Sequence, residues 1–332
     1  MNKRLNNVSL LRFLSFICIV VFHCLMVLSS GEGKQIFPTY FAVQIFVFLT
    51  GFLYSKKKIE NVKEFYIKNV VKLILPMVVF MLVEWLLCLI VNPSVANPAN
   101  WGKHMESGLF ALGHLWFMWF ILIAYALIPF LQIAFDKNHR FCKLAKSLII
   151  IVFFLELCYF GIFNTQVNIM PLFAGYIFGK QEDKIVRRGG ATLIASLMFV
   201  LFEGIYIILR NCIKSDISII SNFINGGQYY LAALLAVCFS IAFLIWFEFL
   251  NKYDSFKFLK FTDKYAFQIY FYHHIFIVGT LSMLSLTPYV SVNIILMLLA
   301  TLVCAIVMEF VSGKLIKFIN KLIFKKKKQI SW

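Results

Sequence analysis

The sequence predicts an all-α fold: a polytopic integral membrane helix bundle of about ten transmembrane helices, with both termini cytoplasmic. Three observations carry this expectation. Of 332 residues, 61% are hydrophobic and 14% charged, whereas a soluble chain carries roughly 25% charged residues. Apolar windows of about 20 residues, enough to cross a bilayer, recur along the chain. Between them, basic-rich and basic-poor loops alternate.

The windows fall at 9–29, 38–55, 67–91, 110–134, 145–163, 166–180, 190–210, 227–250, 264–285 and 289–317. The first begins after Lys3 and Arg4, as a signal peptide would. Arg12 and His23 interrupt its core and further spans follow, so it is read as a retained first helix. The sixth window is short and holds Pro171 and Gly175, so it is expected to be broken or tilted. The loops are short, and no internal repeat is evident. The whole chain, 1–332, therefore reads as a single membrane-embedded domain with a short basic cytoplasmic tail at about 318–332.

Orientation follows from the loops. Lys56-Lys57-Lys58, Lys63, Lys68 and Lys72 lie between spans two and three, and Lys137, Arg140, Lys143 and Lys146 between four and five. Lys180, Lys184, Arg187 and Arg188 follow span six, Lys252, Lys257, Lys260 and Lys264 precede span nine, and Lys325 to Lys328 close the chain. The alternate loops hold only Lys34, Lys103, Arg210 and Lys214. The rich loops belong inside. The net charge of +17 is thus spent on topology, and nucleic acid is not an expected partner. Membrane lipids are.

Eight cysteines form no framework. Cys18, Cys24, Cys88, Cys158, Cys238 and Cys304 sit inside apolar windows and behave as small hydrophobes. No metal-ligand spacing, phosphate-cradling glycine loop or G-x-S-x-G elbow is present.

The ionisable residues inside the windows carry the chemistry. Arg12 and His23 are eleven positions apart, close to three helical turns, so they share one face about 16 Å apart along the axis. On the expected topology Arg12 is at the cytoplasmic end and His23 in the outer half. Taken alone, Arg12 reads equally as a snorkelling anchor and His23 as a polar residue bonded between helices. Their alignment favours a functional stripe. His114 opens span four beside Trp116 and Trp119, where an interfacial aromatic belt is the plain alternative. His273 and His274 are adjacent in span nine, so at most one is expected to face a site, with His274 structural. Glu84, Glu156, Glu203 and Glu309 also fall within spans, Glu156 deepest by these boundaries. His104 and His139 lie in loops and read as solvated.

Five stretches, in order, resemble the acyltransferase-3 family of bacterial membrane proteins that O-acylate surface glycans. They are the Arg12-to-His23 first span, the phrase Val43 to Phe52 with Thr50-Gly51-Phe52, the basic-then-proline stretch Lys72 to Pro76, His114-Leu115-Trp116-Phe117, and Tyr270-Phe271-Tyr272-His273. They cover about residues 10 to 280. The chain departs from the family pattern in having Lys68 and Lys72 where arginines are common, Thr50 in place of serine and Ala266 in place of a serine. Lysine binds phosphate as a point charge, without arginine's bidentate grip.

The resemblance implies an O-acyltransferase of the bacterial cytoplasmic membrane, moving an acyl group, expected to be acetyl, from cytoplasmic acyl-CoA to a hydroxyl of a cell-surface or lipid-linked glycan. No cofactor is bound permanently and acetyl-CoA is the donor. It further implies that Arg12, Lys68 and Lys72 hold the donor phosphates, that His23 is general base or transient acyl carrier with Arg12 as its catalytic companion, and that His114, Trp116 and His273 bind the acceptor. The rival expectation is a secondary transporter or exporter of a glycan or small polar solute. That would call for broken helices in two related halves, and no half-to-half correspondence is evident.

Overall fold

The computed structural model describes residues 5–29, 41–100, 113–136, 140–163, 169–187, 190–212, 218–254, 256–279 and 281–329. Among them there is no β-strand, and ten α-helices follow in order. These are α1 (Asn6–Leu28), α2 (Ala42–Ser55), α3 (Val62–Val91), α4 (Trp116–Phe135), α5 (Cys142–Phe163), α6 (Met170–Arg187), α7 (Ala191–Cys212), α8 (Ser218–Trp246), α9 (Lys257–Ile277) and α10 (Val290–Gln329). Four stretches are long and apolar enough to cross a membrane: Asn6–Leu28, Val62–Val91, Gly113–Phe135 and Val290–Ile323. Ala42–Ser55, Ala191–Ile205 and Tyr230–Trp246 are shorter apolar helices.

Each expected window coincides with one helix, but several helices outrun theirs. The sixth is not broken: α6 runs without interruption from Met170 to Arg187. Pro171 falls in its first turn, where the missing N–H has no intrahelical acceptor to lose. Pro76 and Pro129 do lie inside α3 and α4. The basic tail, through Gln329, continues α10 as helix.

The residues group into two compact units. The first comprises Met1–Ile19, Pro38–Val62 and Ile123–Lys260; the second comprises Val20–Phe37, Lys63–Leu122 and Phe261–Trp332.

In the first unit α2 packs against α6 at glycine-lined closeness. A Cβ on Gly51 would run into the Leu172 carbonyl oxygen, and one on Gly175 into that of Phe48. Small residues at such a crossing let backbones approach, the usual device of membrane helices. Around it lies an aromatic and aliphatic core that includes Leu11, Ile45, Phe48, Phe52, Phe178 and Leu235. The start of α1 is tied down by polar side chains: Asn6 Nδ2 donates to the Leu250 carbonyl at 2.8 Å, and Asn7 Nδ2 to that of Leu244 at 2.9 Å.

In the second unit α9 and α10 are joined through buried polar groups. Gln268 Nε2 donates to Ser312 Oγ at 2.7 Å and to Glu309 at 3.4 Å. Gly279, at φ 87°, follows the end of α9 in the left-handed conformation that glycine adopts without strain. Asn293, 1% exposed, then pins the connection. Its Nδ2 donates to the Leu284 and Thr287 carbonyls, both at 2.8 Å, and its Oδ1 accepts from Thr287 N at 2.9 Å and Oγ1 at 2.8 Å.

Candidate active site

Four histidines converge in the second unit, from three elements. α1 brings His23. A single 3-10 turn, Gly113–Leu115, brings His114 just before α4. α9 brings His273 and His274. Ring centroids lie 5.5 Å apart for His23–His273 and 4.9 Å for His23–His274. They lie 5.7 Å apart for His114–His273 and 4.5 Å for His114–His274, the last pair stacked at 29°.

The expectation that only one of the adjacent histidines would reach a site is therefore corrected. Their rings do diverge, at 77° and 6.1 Å. His23 and His114 each lie within reach of both rings, so both remain in the cluster despite pointing apart.

Burial separates the four. His273 is 0%, His114 4% and His274 8% exposed; His23 alone is partly exposed. Among these imidazoles it is the one with side-chain surface left open. The others are held by their surroundings. His273 Nδ1 lies 3.1 Å from the Ile269 carbonyl oxygen. A carbonyl only accepts, so in the neutral ring Nδ1 carries the hydrogen and Nε2 the lone pair. The Tyr270 hydroxyl donates to the His114 backbone carbonyl, fixing the 3-10 turn to α9.

Aromatic packing supplies the floor. Phe80 of α3 stacks on Phe271 at 5.3 Å, meets Tyr272 edge-on at 5.2 Å and His114 at 5.6 Å. One turn further along α3, Glu84 is 1% exposed and acts electrostatically on Tyr272 and Cys88. Glu84 is the deeply buried carboxyl group found here; the Glu156 side chain, expected to lie deepest, is outside the described residues, as are His104 and His139. Glu203 and Glu309 are partly exposed.

The remaining expected site residues are placed as follows. Arg12 belongs to the first unit, partly exposed, where its charge acts on Tyr125, itself hydrogen-bonded to Tyr54. Lys68 and Lys72 lie on α3, both exposed, with Lys68 in an ion pair to Glu64 at 2.5 Å. Trp116 is 39% exposed and its ring packs on Phe117 at 6.0 Å. Thr50 Oγ1 donates to the Phe46 carbonyl of its own helix at 2.8 Å. His23, His114 and His273 are thus brought together. Sequence reasoning missed His274 and Glu84 as neighbours of the site. For His274 the signal was present in the His-His pair itself.

Among the described residues no group of three or more His, Cys, Asp or Glu side chains is arranged to hold a metal ion. The family model described as an acyltransferase domain, that of acyltransferase-3, matches residues 5–309. No curated protein matches the chain, and no solved structure does.

Proposed function

The chain belongs to the acyltransferase-3 family, and from that premise we propose a specific reaction for it. It moves an acetyl group from cytoplasmic acetyl-CoA to a hydroxyl of a cell-surface or lipid-linked glycan, in a bacterial cytoplasmic membrane. About ten helices cross that membrane as one domain over 1–332, with both termini cytoplasmic. The basic-rich loops support this orientation.

The observation that carries the reading is the exposure pattern of the histidine cluster. His23 alone is partly exposed, with His273 and His274 rings 5.5 and 4.9 Å behind it. A neutral imidazole there accepts the proton of the acceptor hydroxyl as its oxygen bonds to the thioester carbon. The C–S bond breaks, and the proton passes to the departing CoA thiolate. In the alternative route a His23 ring nitrogen bonds to the acetyl carbon as the C–S bond breaks, and CoA leaves as the thiol with the ring proton. The acetyl group then passes to the hydroxyl oxygen, whose proton returns to the ring. Buried aromatic and imidazole rings behind His23 hold its position and keep out water that would hydrolyse the thioester.

Arg12, Lys68 and Lys72 are assigned to the donor phosphates, which the exposure of both lysines supports. His114 and His273 are assigned to acceptor positioning. Trp116, 39% exposed, is assigned to the acceptor as a stacking surface for a sugar ring.

The test uses purified protein with acetyl-labelled acetyl-CoA and a panel of envelope glycans. Label enters a glycan with wild type and not with His23→Ala. Uptake of glycan into vesicles with no CoA released would overturn the enzyme reading.

A further inference from the structure

The first unit holds a cleft of about 830 Å³ lined by none of the residues assigned above to acyl transfer. Its size falls within the roughly 300–1,000 Å³ of small-molecule sites. The ends of α2 and α4, the middle of α6, the loop from Lys56 to Glu60 and the first residue of α3 form its walls, with Lys56, Lys57, Lys58 and Lys180 among the lining residues.

Three features distinguish this cleft from an ordinary basic loop. The loop is fixed: Gln132 accepts from Ile59 N at 3.1 Å through Oε1, and its Nε2 donates to the Lys57 carbonyl. Lys56 is paired with Glu182, whereas Lys57, Lys58 and Lys180 make no ion pair among the described residues. Tyr176, 0% exposed, is among the lining residues, and its buried hydroxyl has no hydrogen-bond partner among the described residues. A buried hydroxyl left unsatisfied costs free energy, and a ligand acceptor would satisfy it. Lysines at helix ends also complement the helix dipole; that role accounts for neither the cavity nor the tyrosine.

We propose that this cleft is a binding site for a phosphate ester, with Lys57, Lys58 and Lys180 on the phosphate and the Tyr176 hydroxyl donating to one of its oxygens. Glu60 and Asp136, which also line the cleft, accept from hydroxyl or amine groups of the same ligand. A nucleotide-bearing molecule and an anionic lipid headgroup share this chemistry. The proposal stands independently of the reaction at His23.

The full chain in phosphatidylcholine nanodiscs is titrated with adenosine 3′,5′-bisphosphate and with CoA, following thermal stability and direct binding. A parallel arm replaces part of the lipid with phosphatidylglycerol and omits nucleotide. Stabilisation in the first arm identifies a soluble nucleotide as the source, and in the second alone a lipid headgroup. In either case Lys57→Gln/Lys58→Gln/Lys180→Gln weakens the effect about tenfold or more, and Tyr176→Phe roughly threefold. The corresponding triple arginine variant restores it. His23→Ala binds as wild type does, which separates this site from the acyl-transfer reading. Stabilisation in neither arm overturns the proposal. So does an undiminished effect in the glutamine variant, including one that is lost instead in Arg12→Ala.

Discussion

His274 stacks on His114 with ring centroids 4.5 Å apart and planes 29° from parallel. The pair joins α9 to the turn that precedes α4, and His274 also faces His23 edge-on at 4.9 Å. A residue next in sequence to His273 thereby makes the closer approach to both other histidines of the cluster.

If that stack holds His23 and His114 in register, its loss costs catalysis. A favourable ring pair contributes about 0.5–1.5 kcal/mol, and about 1.4 kcal/mol corresponds to tenfold in rate. His274→Ala is expected to lower CoA release about tenfold, while His274→Phe, which keeps a ring, stays within about threefold. A wild-type rate in His274→Ala would remove His274 from the site.

The glycine contact between α2 and α6 predicts a stability effect away from the chemistry. Added methyl groups at Gly51 or Gly175 meet backbone carbonyls rather than yielding side chains. Gly175→Ala is expected to destabilise by about 1–3 kcal/mol, seen as a lowered melting temperature of the purified protein. Gly204→Ala, where nothing lies within 4 Å of the added Cβ, serves as the control and should melt as wild type.

Asn293 predicts a second stability effect, in the other unit. Its side chain makes four hydrogen bonds while 1% exposed. Asn293→Ala strands several buried partners at about 1–3 kcal/mol each. Asn293→Asp keeps the acceptor side and loses the two donated bonds. Thermal melts should rank wild type above both variants, and equal melting would contradict the geometry.

The two routes at His23 differ in what accumulates without acceptor. As transient carrier, wild type incubated with labelled acetyl-CoA alone retains label on the protein, and His23→Ala retains none. As general base, no label is retained by either. Mass spectrometry of the peptide containing His23 reads the outcome directly.

The apolar windows located every α-helix among the described residues, because about 20 apolar residues have few other uses. They misjudged lengths, because hydropathy sees only the apolar part of a helix while its hydrogen bonds continue into polar sequence. Lys180 to Arg187, read as loop, extends α6, and the lysine-rich end of the chain extends α10. The Arg12–His23 spacing made His23 legible, and the resemblance made His114 and His273 so. His274 was lost to the argument that neighbours on a helix diverge. They do, but His23 and His114 approach from sides that meet both rings. Glu84 was indistinguishable from Glu203 and Glu309 until packing separated a 1% exposed carboxyl group from two partly exposed ones. The cleft walled by α2, α4 and α6 had no sequence signal, since its lysines read as topology.

The central claim is that His23 carries the proton or the acyl group. The most direct measurement is CoA release from acetyl-CoA with a responsive glycan, comparing wild type with His23→Ala at equal CoA-induced thermal stabilisation. Loss of a general base predicts a fall of about 10²- to 10⁴-fold with CoA stabilisation retained. CoA release by His23→Ala within a few-fold of wild type would contradict it.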